Sequence, residues 1–131
     1  MPKILIVDDE KKVRDIYHKL LAFEKYQVLE AEDVPSATKL LVDDADIRLV
    51  LLDINIPQVD GGILFRLIRM LDEKIKVIVT SVYPLEEQKR LIPGALDYYD
   101  KSEGLSILIQ KIRSALKRTS DEKDYNYPTL N

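Results

Sequence analysis

The sequence contains no cysteine and a single histidine, His18. Neither a disulfide framework nor a thiolate metal site can form, and one histidine removes the usual zinc clusters as well. Basic residues are not in excess. Twenty Lys and Arg stand against 23 Asp and Glu, a net charge of −3, with a pI near 5.2. That balance argues against nucleic acid as a direct partner, because phosphate binding needs a basic face. No apolar run is long enough to span a bilayer; the longest, such as Leu49 to Leu52, are strand-sized. The chain enters a strand-like run at once, Lys3-Ile4-Leu5-Ile6-Val7, and lacks the pattern of a signal peptide. A cytoplasmic location and no membrane partner are the expectation. No glycine-rich turn follows that first run, which disfavours a dinucleotide-binding domain.

What is present suits one soluble domain. The length of 131 residues is ordinary for one domain and too short for two, and 46% hydrophobic with 33% charged residues allows a proper core. The hydrophobic pattern switches repeatedly between two periods. Ile4 to Val7 reads as a strand buried on both faces, and Val13, Ile16, Tyr17, Leu20 and Leu21 as the apolar stripe of a helix. A second strand follows at 27–31, then a helix with Pro35 in its first turn and Ala37, Leu40 and Leu41 inward. Leu49 to Leu52 runs straight onto Asp53. A third helix after Gly61-Gly62 turns Leu64, Leu67, Ile68 and Leu71 inward. Val77-Ile78-Val79 ends on Thr80, and Pro84 opens a short helix that Pro93-Gly94 must terminate. The fifth strand spans Leu96 to Asp100, and Leu105, Leu108, Ile109, Ile112 and Leu116 mark the last helix.

Five strands alternating with five helices predict an α/β fold, an open doubly wound parallel sheet with helices on both faces. The domain is expected over 1–118. Residues 119–131 are polar and without period, and read as a disordered tail or linker stub.

The strand ends carry the chemistry. In such a sheet the functional crevice lies beyond the carboxyl ends of the strands. Asp8-Asp9 ends strand one, Asp53 strand three, Thr80-Ser81 strand four, and Lys101 follows strand five. Three carboxylates at one rim repel each other unless a cation neutralises them, and Mg²⁺ does so with oxygen ligands, typically one or two carboxylates plus phosphate and water. One carboxylate is then free to act as a nucleophile and form an acyl-phosphate, with Lys101 supplying a cation and the Thr80 hydroxyl a donor.

This set, on five alternating strands, resembles the receiver domain of two-component response regulators over about residues 2–118. The acceptor loop matches too: Asp53-Ile54-Asn55-Ile56-Pro57 and then Gly61 place proline four and glycine eight residues after the aspartate. The resemblance implies a flavodoxin-like sheet of order 2-1-3-4-5. It implies Asp53 as phosphoacceptor, fed by a histidine kinase or histidine phosphotransfer protein. Mg²⁺ would be held by Asp9, Asp53 and the backbone carbonyl of Asn55, with Asp8 acting mainly through water. Lys101 would pair with the phosphoryl group, Thr80 would close onto it, and Tyr98 would occupy the aromatic switch position. The face of the fourth helix, fifth strand and fifth helix would then change and be read by a downstream effector. Asn55 and Val82 would flank the phosphoryl group and set its lifetime.

Some positions depart from the family pattern. Ser102 follows Lys101 where the family usually has proline after a cis peptide bond, a form that costs about 2.5–4 kcal/mol before a non-proline residue. Pro93 precedes Gly94-Ala95, and the Thr80-to-Lys101 interval is one residue short. A shortened or displaced fourth helix is therefore expected. These departures leave room for a receiver-like interaction module that no longer transfers phosphate. An aspartyl phosphatase is disfavoured, since the position two after Asp53 is Asn55 and cannot act as acid or base.

Plainer roles also exist for single residues. Asp9 could be a helix cap, and one of Tyr98 and Tyr99 simple packing. His18 reads as a solvated surface residue, Glu86, Glu87, Lys89 and Arg90 as a wet helical face, and Arg113, Lys117 and Arg118 as cations favourable at a helix C-terminus that need no partner.

Overall fold

The computed structural model describes residues 2–55 and 61–117. The elements are β1 (Lys3–Val7), α1 (Lys11–Phe23), β2 (Gln27–Ala31), α2 (Val34–Asp43), β3 (Ile47–Asp53), α3 (Gly61–Leu71), β4 (Lys76–Ser81), α4 (Leu85–Leu91), β5 (Asp97–Asp100) and α5 (Leu105–Leu116). All five strands are parallel, in the order β2-β1-β3-β4-β5. The fold class and strand order agree with the sequence reading. The 119–131 tail and the Ile56–Pro57 part of the acceptor loop lie outside the described residues.

The two-residue period of each strand divides the core into two layers. Ile4, Ile6, Leu49, Leu51, Ile78 and Tyr99 pack with Tyr17 and Leu21 of α1 and with Leu108, Ile109 and Ile112 of α5. Leu5, Val7, Val50, Leu52, Val77, Val79 and Tyr98 pack on the other face, with Ala37 and Leu41 of α2, Leu64 and Ile68 of α3, and Ile92. The central strands are therefore apolar at successive positions, as a sheet covered on both sides requires. The edge strand β2 is less buried.

Local signals set several helix ends, Pro35 and Pro84 as the sequence suggests and Asp33 as a cap the structure adds. Asp33 caps α2, its carboxylate accepting from the Ser36 amide at 2.9 Å, with Pro35 in the first turn. The α4 helix is only seven residues long and begins after Pro84. Gly94 has φ +96°, a left-handed conformation that suits glycine and turns the chain toward β5.

Other expectations need correction. Ile16, Leu71 and Leu105 lie on the predicted inward stripes but are exposed; Leu71 ends α3 and Leu105 begins α5, so both project past the covered part of the helix. Leu96 is also exposed, and β5 begins one residue later, at Asp97. Arg113 has a partner after all, Glu24 beyond the end of α1, at 2.6 Å. His18 is half-buried and lies 2.5 Å from Glu30 of β2. No peptide bond is cis among the described residues, that between Lys101 and Ser102 included.

The burial pattern predicts a contrast between two apolar truncations. Leu51→Ala should cost about 2–5 kcal/mol in urea unfolding, through lost transfer energy and the cavity left, whereas Ile16→Ala should stay within about 0.5 kcal/mol.

Candidate functional site

Strand register assembles the site. Val7 of β1 pairs with Leu52 of β3, Asp53 with Thr80 of β4, and Thr80 with Tyr99 of β5. Asp8, Asp53, Thr80 and Lys101 therefore continue the alternation of Ile6, Leu51, Ile78 and Tyr99, and all four belong to the α1/α5 face. A shift of one residue in any strand would send its side chain to the other face. Tyr98 has the opposite parity and faces the α3/α4 layer.

The Lys101 ammonium sits between two acids, 2.8 Å from Asp8 Oδ2 and 3.4 Å from Asp53 Oδ2. Its backbone N–H donates to the Ser81 carbonyl at 2.7 Å, which fixes the start of the β5–α5 loop against β4. Asp8 and Asp53 are buried and Asp9 is exposed. Asp8 Oδ1 accepts from the Glu10 amide at 2.9 Å, and Asp53 Oδ1 from the Asn55 amide at 3.1 Å. The residue that caps α1 is Glu10, without a side-chain bond, so helix capping does not account for Asp9.

Charge balance at the rim is incomplete. One oxygen each from Asp8, Asp9 and Asp53 lie within 4.8 Å of one another, and Lys101 supplies one positive charge against three carboxylates. Burial pushes the Asp53 carboxyl up; the Lys101 charge pulls it down, Asp8 raises it further, and the result is about 6. For Lys101 burial acts downward, but the hydrogen bond it donates to Asp8 and the charges of both acids outweigh it, and its pKa is raised. An all-oxygen donor set with excess negative charge fits Mg²⁺.

The remaining predicted residues are distributed as follows. Thr80 is buried beside Asp53, and its carbonyl accepts from the Ile54 amide at 3.2 Å. Asn55 is exposed next to Asp53. Tyr98 is buried, its hydroxyl donating to the Ile92 carbonyl at 2.6 Å and accepting from the Ala95 amide at 3.2 Å. Tyr99 is buried too, with its hydroxyl 2.5 Å from the Glu103 carbonyl. The sequence reading missed Arg14 and Gln88. Gln88 is fully buried in α4, and its amide donates to the carbonyls of Tyr83 and Tyr99 at 2.8 and 3.0 Å. A glutamine among charged neighbours on a short helix carries no sequence signal of burial.

Residues 4–113 match the response regulator receiver domain family. The chain belongs to that family. Among curated relatives, the receiver is 32% identical over 124 residues to response regulator MprA of Mycobacterium avium (strain 104), covering 93% of this chain and 54% of the relative. The chain thus spans about half the length of the curated relatives it matches. Among solved structures, the receiver is 29% identical to response regulator TrrA of Thermotoga maritima, in complex with Mg²⁺-BeF, with a TM-score of 0.80 over 88% of this chain and 100% of that one. The receiver domain of NtrX from Brucella abortus is 31% identical, with a TM-score of 0.80 over 87% and 98%. This receiver is a module of two-component signalling.

The raised Asp53 pKa fixes the sign of a stability effect. Unfolded, the carboxyl ionises near 3.8; folded, near 6. Folding binds a proton between those values, so this contribution is full below about pH 4 and lost as pH rises through 6. In metal-free protein, Asp53→Asn should therefore raise Tm at pH 8, by the equivalent of about 2–3 kcal/mol. The gain should disappear near pH 4; thermal unfolding across that range measures it.

Proposed function

We propose that this receiver takes a phosphoryl group onto Asp53, in a Mg²⁺-dependent reaction, from a histidine kinase or histidine phosphotransfer protein. The supporting observation is the placement of Asp53: a buried carboxylate at the sheet's carboxyl edge, beside a second buried acid and 3.4 Å from the Lys101 ammonium. An Asp53 oxygen attacks phosphorus, the P–N bond of the phosphohistidine breaks, and the leaving imidazole keeps the electron pair and takes a proton. Asp9, Asp53 and the Asn55 carbonyl would hold Mg²⁺, with Asp8 acting mainly through water, and the ion would supply positive charge to offset that on the transferring group. Lys101 supplies the remaining positive charge and turns from Asp53 to the new oxygens. The Asn55 amide, already on Asp53 Oδ1, holds the carboxylate in orientation.

The product adds roughly −1.5 to −2 charges at one point. Thr80, paired in register with Asp53, then closes its hydroxyl onto the phosphoryl oxygens. Tyr98 then repacks, and the face formed by α4, β5 and α5 presents a new surface to a downstream effector. The receiver unit occupies 1–118, and Asn55 and Val82 flank the phosphoryl group and set its lifetime. Location in the cytoplasm, where histidine kinases deliver phosphate, completes the proposal; among the described residues no helix is long and apolar enough to cross a membrane.

Incubation with acetyl phosphate and Mg²⁺ should add one phosphoryl mass by intact mass spectrometry, and none to Asp53→Asn or without divalent cation. Lys101→Met should slow the addition by about 10²-fold or more. An unmodified wild-type chain would support the interaction-module alternative instead.

A further inference from the structure

The first turn of α1 carries Lys11, Lys12 and Arg14 and no acid. Cations at that end oppose the helix dipole, so their presence asks for a local reason. Lys11 is exposed and pairs with Asp15 on its own helix. Arg14 is different. Its side chain is only 12% exposed, and its guanidinium joins two elements.

Nη1 donates to the backbone carbonyl of Asp8 at 2.7 Å, and Nε to Glu30 Oε1 of β2 at 3.1 Å. Val7 is the last residue of β1 in register with β2 and β3. Past it, Asp8 and Asp9 leave the ladder just where their carboxylates are needed. The Asp8 amide still donates to the Ala31 carbonyl at 3.1 Å, and Arg14 holds the carbonyl on the other side of the same residue. The planar guanidinium can grip both partners in fixed directions, which a lysine ammonium cannot do.

We propose that Arg14, tethered by Glu30, is a positioning residue that orients the Asp8–Asp9 pair for Mg²⁺. This rests on the reading of the acid cluster as a Mg²⁺ site. Groups that orient metal ligands typically carry 10–100-fold in affinity. The sign of the effect separates this role from a simple charge effect. Removing a cation close to the site would strengthen Mg²⁺ binding if charge alone mattered; removing the brace weakens it.

The experiment is calorimetric titration of the full chain with Mg²⁺, for wild type, Arg14→Met, Arg14→Lys and Glu30→Gln, with thermal unfolding of each metal-free variant as a fold control. Arg14→Met should raise the Kd for Mg²⁺ by about tenfold, and Arg14→Lys, which keeps the charge, should not restore it. With acetyl phosphate, half-saturation in Mg²⁺ should rise while the maximal rate at saturating Mg²⁺ is unchanged, a split that general loss of structure would not give. Unchanged or tighter Mg²⁺ binding by folded Arg14→Met overturns the proposal. Should Arg14→Met fail to fold, Glu30→Gln decides: it keeps Arg14 but loosens the tether, and unaltered affinity there also overturns it. A wild-type chain that binds no Mg²⁺ is a distinct result, and it removes the reading of the site along with this inference.

Discussion

The Lys101 ammonium, held between Asp8 and Asp53, is the interaction on which the rim of this sheet depends. Its charge offsets the burial that pushes the Asp53 carboxyl up. The lysine reaches both acids because β5 is in register with β4 and the Lys101 amide is tied to the Ser81 carbonyl at 2.7 Å. Its hold is partial: the Asp53 carboxyl still sits near 6. The site is therefore built with a surplus of negative charge, and a divalent cation or a proton relieves it. That surplus ties the stability of the fold to the chemistry proposed for it.

The same alternation that makes the core also selects the site. Each strand points its odd or even residues at α1 and α5, and the four reactive side chains are simply the next members of that series past the apolar run. Tyr98, out of phase, packs toward α3 and α4 and is pinned to the Ile92 carbonyl and the Ala95 amide. In β4, Val79 is the partner of Tyr98 and Thr80, beside Asp53, the next residue, so the proposed switch has a short connection between the two faces. The short α4 stops before Gly94, and the buried Gln88 amide binds it to β5.

Much of this was legible because it depends on local pattern. Buried parallel strands read as apolar runs, and the residues that end them, Asp8-Asp9, Asp53 and Thr80, announced a shared edge once the topology was inferred. Pro84 and Pro93-Gly94 set the limits of α4 through backbone chemistry alone. Features that hang on distant partners were not legible. Ile16, Leu71 and Leu105 fit a helical stripe by spacing, yet how much of a stripe the sheet and its neighbours cover, above all at helix ends such as Leu71 and Leu105, is set by the tertiary packing. The pairs Arg113–Glu24 and Arg14–Glu30 join residues far apart in sequence, and no periodicity reports them. The Ser102 departure pointed to a question of peptide geometry that only the backbone answers, with a trans bond.

The identity of the acceptor is tested most directly by chemical trapping. After treatment with acetyl phosphate and Mg²⁺, borohydride reduces an aspartyl phosphate to the alcohol, leaving homoserine at the modified position. Peptide mapping should find homoserine at residue 53 alone. Homoserine at Asp8 or Asp9 instead, or at no position in a folded, Mg²⁺-loaded chain, would contradict the assignment of Asp53.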